Sequence, residues 1–127
     1  MLELGAGEGL HTYSLIKTGA NVIATDISQN ALCELKNNFL TVDISRLHIM
    51  VADMEQLPFE NKSFDIVANV NSLSYGAHEK IDKEIRRIIK PGGYFICLDS
   101  LNNNPIYNSN RYLYSYNNRR SRSNLSN

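Results

Sequence analysis

Met1-Leu2-Glu3-Leu4-Gly5-Ala6-Gly7-Glu8-Gly9 opens the chain and decides its fold. Residues 1–4 form a short apolar run of strand length, and the glycines behind it turn the chain sharply. Glycine lets the backbone bend and lets a ligand approach where a Cβ would stand in the way. Such a turn leading into a helix presents backbone N–H groups. A helix is expected next, over residues 10–18.

Outward from this turn, strand and helix signals alternate. Residues 21–25 (NVIAT) read as a buried β-branched strand, and Ser28 is a natural N-cap for the helix behind it. That helix places Ala31, Leu32, Leu35 and Phe39 on one face. Residues 47–51 and 64–70 read as the third and fourth strands. An amphipathic helix with Ile81, Ile85, Ile88 and Ile89 in a stripe follows, stopped at Pro91-Gly92-Gly93. Residues 94–98 complete a fifth strand. This alternation predicts an α/β fold: a Rossmann-like, doubly wound, mainly parallel sheet with helices on both faces. Five strands are expected, and nothing after Ser100 reads as a further strand pair.

Composition sets the bounds. The 127 residues suffice for one domain, and 43% hydrophobic with 20% charged residues is ordinary for a globular protein. No apolar run approaches the roughly 20 residues that span a bilayer, and no signal peptide is legible, so a cytoplasmic protein is expected. Cys33 and Cys97 fall among apolar neighbours and read as reduced, buried small hydrophobes. His11, His48 and His78 show no metal-ligand spacing, so no metal is expected. The net charge of zero hides an asymmetry: residues 1–100 carry nine basic and all thirteen acidic residues, leaving −4.

The chemistry should lie beyond the carboxyl ends of the strands, where open α/β sheets bind ligands. Glu3 ends the first strand, Asp26 follows the second and Asp53 the third. Asp26 stands 21 residues after Gly5, the separation at which an acid can accept from both hydroxyls of a ribose. A dinucleotide turn reads G-x-G-x-x-G, whereas here the third glycine comes early, at Gly9. Acids at Glu3 and Glu8 also oppose a diphosphate and suit a ligand carrying an ammonium and a sulfonium. S-adenosyl-L-methionine is therefore favoured over NAD.

Five segments in order resemble the class I S-adenosylmethionine-dependent methyltransferases, specifically the small-molecule subgroup that includes the ubiquinone methyltransferases. E-L-G-A-G-E-G resembles the first motif and A-T-D-I-S the ribose-binding acidic loop. V-A-D-M-E-Q-L-P-F resembles the adenine-binding stretch. F-D-I-V-A-N-V-N-S-L-S-Y and R-I-I-K-P-G-G-Y-F-I resemble the fourth strand and the turn before the fifth. The resemblance implies that the backbone of Gly5, Ala6 and Gly7 lines the methionine moiety while Glu3 steers its amino group, directly or through water. It implies that Asp26 holds the ribose hydroxyls and Ile27 packs on the adenine. It further implies that Asp53 accepts from the adenine amino group, Met54 donates its N–H, and Asn69 faces the methionine end through its main chain.

Methyl transfer from a sulfonium is an in-line displacement in which alignment is the protein's main contribution. An oxygen nucleophile usually needs a base, and His78 is the one classical base in the loop after the fourth strand. That loop reads N-V-N-S, unlike the N-P-P-Y of enzymes that methylate nucleic-acid amino groups. A small-molecule acceptor is expected, with neither membrane nor nucleic acid as partner; the oligomeric state is open. Residues 101–127 hold nine Asn, five Ser, four Tyr and four Arg, and are read as a tail outside the 1–100 core. They are expected to form a partial lid helix and then a disordered end, a basic aromatic strip for nucleic acid being the alternative. N-P-I-Y-N-S-N-R-Y-L-Y resembles a segment of methyltransferases from sugar and polysaccharide biosynthesis, which hints at a glycan-like acceptor. The family carries helices before the first motif and two strands after the fifth, so the chain is expected to be truncated at both ends. A binding-only remnant and an NAD-dependent oxidoreductase are the competing readings.

Overall fold

The computed structural model describes residues 1–73, 76–99 and 110–115. Its elements follow as β1 (Leu2–Leu4), α1 (Thr12–Ile16), β2 (Val22–Asp26), α2 (Gln29–Asn38), β3 (Leu47–Val51), β4 (Phe64–Val70), α3 (His78–Ile88), β5 (Ile89–Asp99) and β6 (Asn110–Ser115). The strands form one sheet in the order β3-β2-β1-β4-β5-β6. The pairings among β1 to β5 are parallel, and β6 joins β5 antiparallel.

Two clusters of buried side chains hold helices against this sheet. Leu32, Leu35 and Phe39 of the α2 stripe pack with Val22, Ala24 and Leu47. Ile81, Ile85 and Ile88 of α3 pack with Leu2, Leu4, Val67 and Phe95. In β2, Val22 and Ala24 belong to the first cluster while Ile23 between them packs into the second. Successive strand side chains point to opposite faces, so the helices cover both sides of the sheet. A helix of eleven residues is marginal alone. Each buried isoleucine of α3 adds roughly 1.5–3 kcal/mol, so packing rather than propensity holds it.

Local signals act as expected at α2, where the Ser28 hydroxyl accepts from the Ala31 N–H at 3.2 Å. At α3 the stripe is right but the junction is tighter. The helix ends at Ile88, Ile89 already has extended dihedrals, and β5 runs on through Pro91-Gly92-Gly93. Register slips there, since Phe64 faces Ile89 but Ile66 faces Tyr94. The first helix is shorter than residues 10–18, covering only Thr12–Ile16.

Two expectations are corrected. Cys97 is buried, but Cys33 is exposed, because it lies beside the α2 stripe rather than on it. A strand also exists beyond Ser100: Asn110–Ser115 pairs antiparallel with residues 94–99 of β5, from Tyr94 opposite Ser115 to Asp99 opposite Asn110, so the sheet has six strands among the described residues. Tyrosine favours strands, but the asparagine-rich composition around Tyr112 and Tyr114 hides them until β5 offers an edge. The rest of the expected lid helix and disordered end lies outside the described residues.

Candidate cofactor site

Strand order reverses between β1 and β4, because the chain leaves β3 at one side and re-enters beside β1. Crossovers diverge at such a point and leave a crevice at the strands' carboxyl ends. A cavity of about 530 Å³ opens there. Its walls come from the ends of four strands: Gly5 and Gly7 after β1, Thr25 to Ile27 at β2, Ala52 to Glu55 after β3, and Val70 to Ser72 at β4. Gly76 completes the lining among the described residues.

The glycine turn is built by its neighbours. Ala6 N–H donates to Thr25 O at 2.9 Å, and Gly9 N–H donates to Ala6 O at 3.0 Å. Gly5 has φ +68°, and a Cβ there would lie 2.1 Å from Ser72 Oγ. Gly9 has φ +91°, and its Cβ would meet Leu35 at 2.8 Å, so the third glycine admits α2 against the turn. Gly9 is thus a packing glycine.

Asp26 ties the turn to β2. Its Oδ2 accepts from Gly7 N–H at 2.9 Å and its Oδ1 from Ser28 N–H at 2.8 Å. Ile27 beside it is 71% exposed yet lines the cavity, an apolar side chain left open at the mouth. On the β3 side, Asp53 Oδ1 accepts from Glu55 N–H at 2.8 Å, closing a tight turn that presents Met54. Glu55 in turn accepts from Ala77 N–H at 2.7 Å, at the start of α3. The stretch behind it is clamped by Arg87, which donates to Leu57 O at 3.0 Å and Phe59 O at 2.5 Å. Glu84 accepts from Leu57 N–H and pairs with Arg87 at 2.8 Å.

Of the expected site residues, Gly5, Gly7, Asp26, Ile27, Asp53 and Met54 meet at the cavity. Glu3, Ala6 and Asn69 lie behind its wall. Glu3 is 3% exposed and accepts from Thr12 Oγ at 2.6 Å. Burial pushes its carboxyl above the ordinary value, and the Thr12 hydrogen bond opposes that rise. Asn69 is fully buried, its amide turned toward Leu4 O at 3.0 Å. His78 is exposed at the start of α3 and lines a separate cavity of about 230 Å³, with Leu73, Ile85 and Phe95. The structure does not bring it to the strand ends.

Sequence reasoning did not single out Thr12, Thr25 or Glu55, and took Asn71 and Ser72 only as part of the loop after the fourth strand. Thr12 carried a usable signal, since it lies one helical turn beyond the glycines. Ser72 had none, because its place depends on Asn71 adopting φ +54°.

The fit to S-adenosylmethionine rests on these features. A crevice of this size falls within the range of small-ligand pockets. A Cβ on Gly7 would meet nothing within 4 Å, so the turn faces open space. Acids stand near the turn, and no cationic side chain lines the cavity among the described residues.

The profile of the methyltransferase domain matches residues 2–97, and the chain belongs to that family, the S-adenosylmethionine-dependent methyltransferases. This sets aside the oxidoreductase reading. The chain is 33% identical over 115 residues to a sterol 4-C-methyltransferase of Caenorhabditis elegans, covering 89% of this chain and 34% of that protein. It is 39% identical over 98 residues to a demethylmenaquinone methyltransferase of Corynebacterium glutamicum, covering 73% and 38%. A solved phosphoethanolamine N-methyltransferase 2 of Haemonchus contortus, in complex with S-adenosyl-L-methionine, superposes with TM-score 0.72 at 27% identity. That match covers 78% of this chain and 24% of the other. The chain therefore spans well under half the length of these relatives. Among the described residues, no helix is long and apolar enough to cross a membrane.

Proposed function

We propose that this chain forms the cofactor-binding core of a methyltransferase acting on a small molecule. The observation that carries the reading is the convergence of Gly5, Gly7, Asp26, Ile27, Asp53 and Met54 on one cavity at the sheet's reversal point. When bound there, S-adenosylmethionine supplies an activated methyl group on its sulfonium. In this reading Asp26, on the cavity wall, accepts from the ribose hydroxyls, and Ile27 beside it covers an adenine face. The Asp53 carboxylate accepts from the adenine amino group, and Met54 donates through its backbone. The turn from Gly5 to Gly7 lines the amino-acid end, and the buried Glu3 charge draws the ammonium through the turn.

For the acceptor, the relatives named for a sterol and a demethylmenaquinone support a lipophilic small molecule. The glycan-like acceptor is the alternative, and neither of these two relatives is named for a sugar. Calorimetric titration of the full-length enzyme with S-adenosylhomocysteine tests the core proposal. Micromolar binding is expected, and a folded protein that does not bind would end it. A binding-only chain would bind equally well but transfer no methyl group to any acceptor in a sterol, quinone and sugar panel.

A further inference from the structure

Asn69 and Ser72 form a buried polar cluster that the roles proposed above do not use. Asn69 is wholly buried and Ser72 is 8% exposed. Burying an amide and a hydroxyl is costly unless both are hydrogen-bonded. Here both turn on one acceptor: Asn69 Nδ2 donates to Leu4 O at 3.0 Å and Ser72 Oγ donates to the same oxygen at 3.2 Å. Asn69 Nδ2 also donates to Ser72 Oγ. On its far side, Cys97 Sγ lies 4.0 Å from Asn69 Oδ1.

Two backbone features make this possible. Asn71 adopts φ +54° while its N–H donates to Leu98 O at 2.7 Å, which swings Ser72 back toward β1. Asparagine tolerates that conformation better than most residues. Gly5 then leaves room, for a Cβ there would stand 2.1 Å from Ser72 Oγ and 2.4 Å from Ser72 Cβ. The hydroxyl occupies the place that a side chain on Gly5 would take.

We infer that Asn69 and Ser72 are positioning residues, which lock the loop after β4 onto the Leu4–Gly5 peptide and so fix the turn facing the donor's amino-acid end. This inference rests on the proposed donor site. Ser72 and Gly5 both line the cavity, so the lock sets the relative position of two of its walls. Alignment matters here because displacements near 1 Å can cost on the order of a hundredfold in rate.

The test uses the full-length enzyme with Ser72→Ala, titrated with S-adenosylhomocysteine and with 5′-deoxy-5′-methylthioadenosine, which lacks the amino-acid end. Loss of the lock should weaken the first about tenfold, as expected for one buried hydrogen bond, and leave the second within about twofold. Ser72→Cys retains a side chain there but offers a weaker donor, and it should repeat the pattern if Ser72→Ala folds poorly. Equal losses for both ligands, or none for S-adenosylhomocysteine, would overturn the inference. Failure of the unaltered enzyme to bind either ligand would overturn the donor site itself, and the inference with it.

Discussion

Gly7 donates its backbone N–H to the Asp26 carboxylate at 2.9 Å, joining the turn after β1 to the end of β2 across 19 residues of sequence. The same carboxylate accepts from Ser28 N–H, so it organises two loops before any ligand is considered. The acid proposed to hold the ribose is thereby held in place by the turn beside it.

Asp26→Ala should therefore damage both stability and binding. Hydrogen bonds to a charged group contribute roughly 1.5–3 kcal/mol each, and partial exposure of Asp26 places the expected cost near the lower end. S-adenosylhomocysteine affinity should fall by about a hundredfold or more, the loss of two such bonds. Urea unfolding and calorimetry measure the two effects separately; unchanged binding would contradict the ribose role.

Gly5→Ala and Gly7→Ala should fail in different ways. At Gly5 the new methyl meets Ser72 backed by the buried Asn69, so the variant should lose about 2–4 kcal/mol. At Gly7 the methyl meets no protein atom and only the backbone at φ +55° is strained, a cost of roughly 1–2 kcal/mol. That methyl would instead occupy ligand space. Thermal melts should rank Gly5→Ala below Gly7→Ala, and S-adenosylhomocysteine titration of Gly7→Ala should show weakened binding by a folded protein.

Ile27→Ser offers a cleaner separation. The side chain is 71% exposed, so its removal should change stability by no more than about 0.5 kcal/mol. Burial of its apolar surface under an adenine would be lost, weakening S-adenosylhomocysteine by about tenfold. Fluorescence or calorimetric titration decides, and full affinity would remove Ile27 from the site.

Stability should respond to pH in opposite senses at two glutamates. Burial raises the Glu3 carboxyl above its ordinary value, against the Thr12 hydrogen bond. A raised folded value means the native state holds the proton more tightly. The Glu3 contribution is then full below the ordinary value and is lost as pH rises through the raised one. Glu84 is held below its ordinary value, first by the Arg87 hydrogen bond, so its contribution is present above that value and lost as pH falls through the lowered one. Glu3→Gln should gain stability over the unaltered enzyme at neutral pH and not in acid, with Thr12 still donating. Glu84→Gln should lose stability at neutral pH, and less in acid. Urea midpoints across pH 3 to 8 (about one point per unit) test both signs.

Arg87→Ala should loosen the stretch behind the cavity. Its guanidinium serves Leu57 O, Phe59 O, Asn61 and Glu84 from α3. The expected cost is about 2–3 kcal/mol, with faster amide exchange at Leu57, whose N–H donates to Glu84. Unchanged exchange there would show that the clamp is redundant.

Much of this protein is local and therefore legible in its sequence. Alternating strand and helix periods dictate the layered sheet, and the third and fourth strands fall at Leu47–Val51 and Phe64–Val70 as read. Ser28 caps α2 through a bond three residues long, which any sequence window contains. Gly5, Gly7, Asp26 and Asp53, read from residue type and spacing, do line one cavity at the strand ends, whereas Glu3 does not.

Tertiary structure decided what depends on distant partners. Glu3 is buried, with Thr12 donating to it, so it lies behind the turn and not on the cavity wall. Asn69 turns its amide to Leu4, 65 residues away, and Ser72 fills the space that Gly5 leaves. Strand β6 forms where β5 offers unpaired backbone, whatever its asparagine content. Periodicity fixes which face a residue shares with its neighbours; only packing across the sheet fixes which atom it meets.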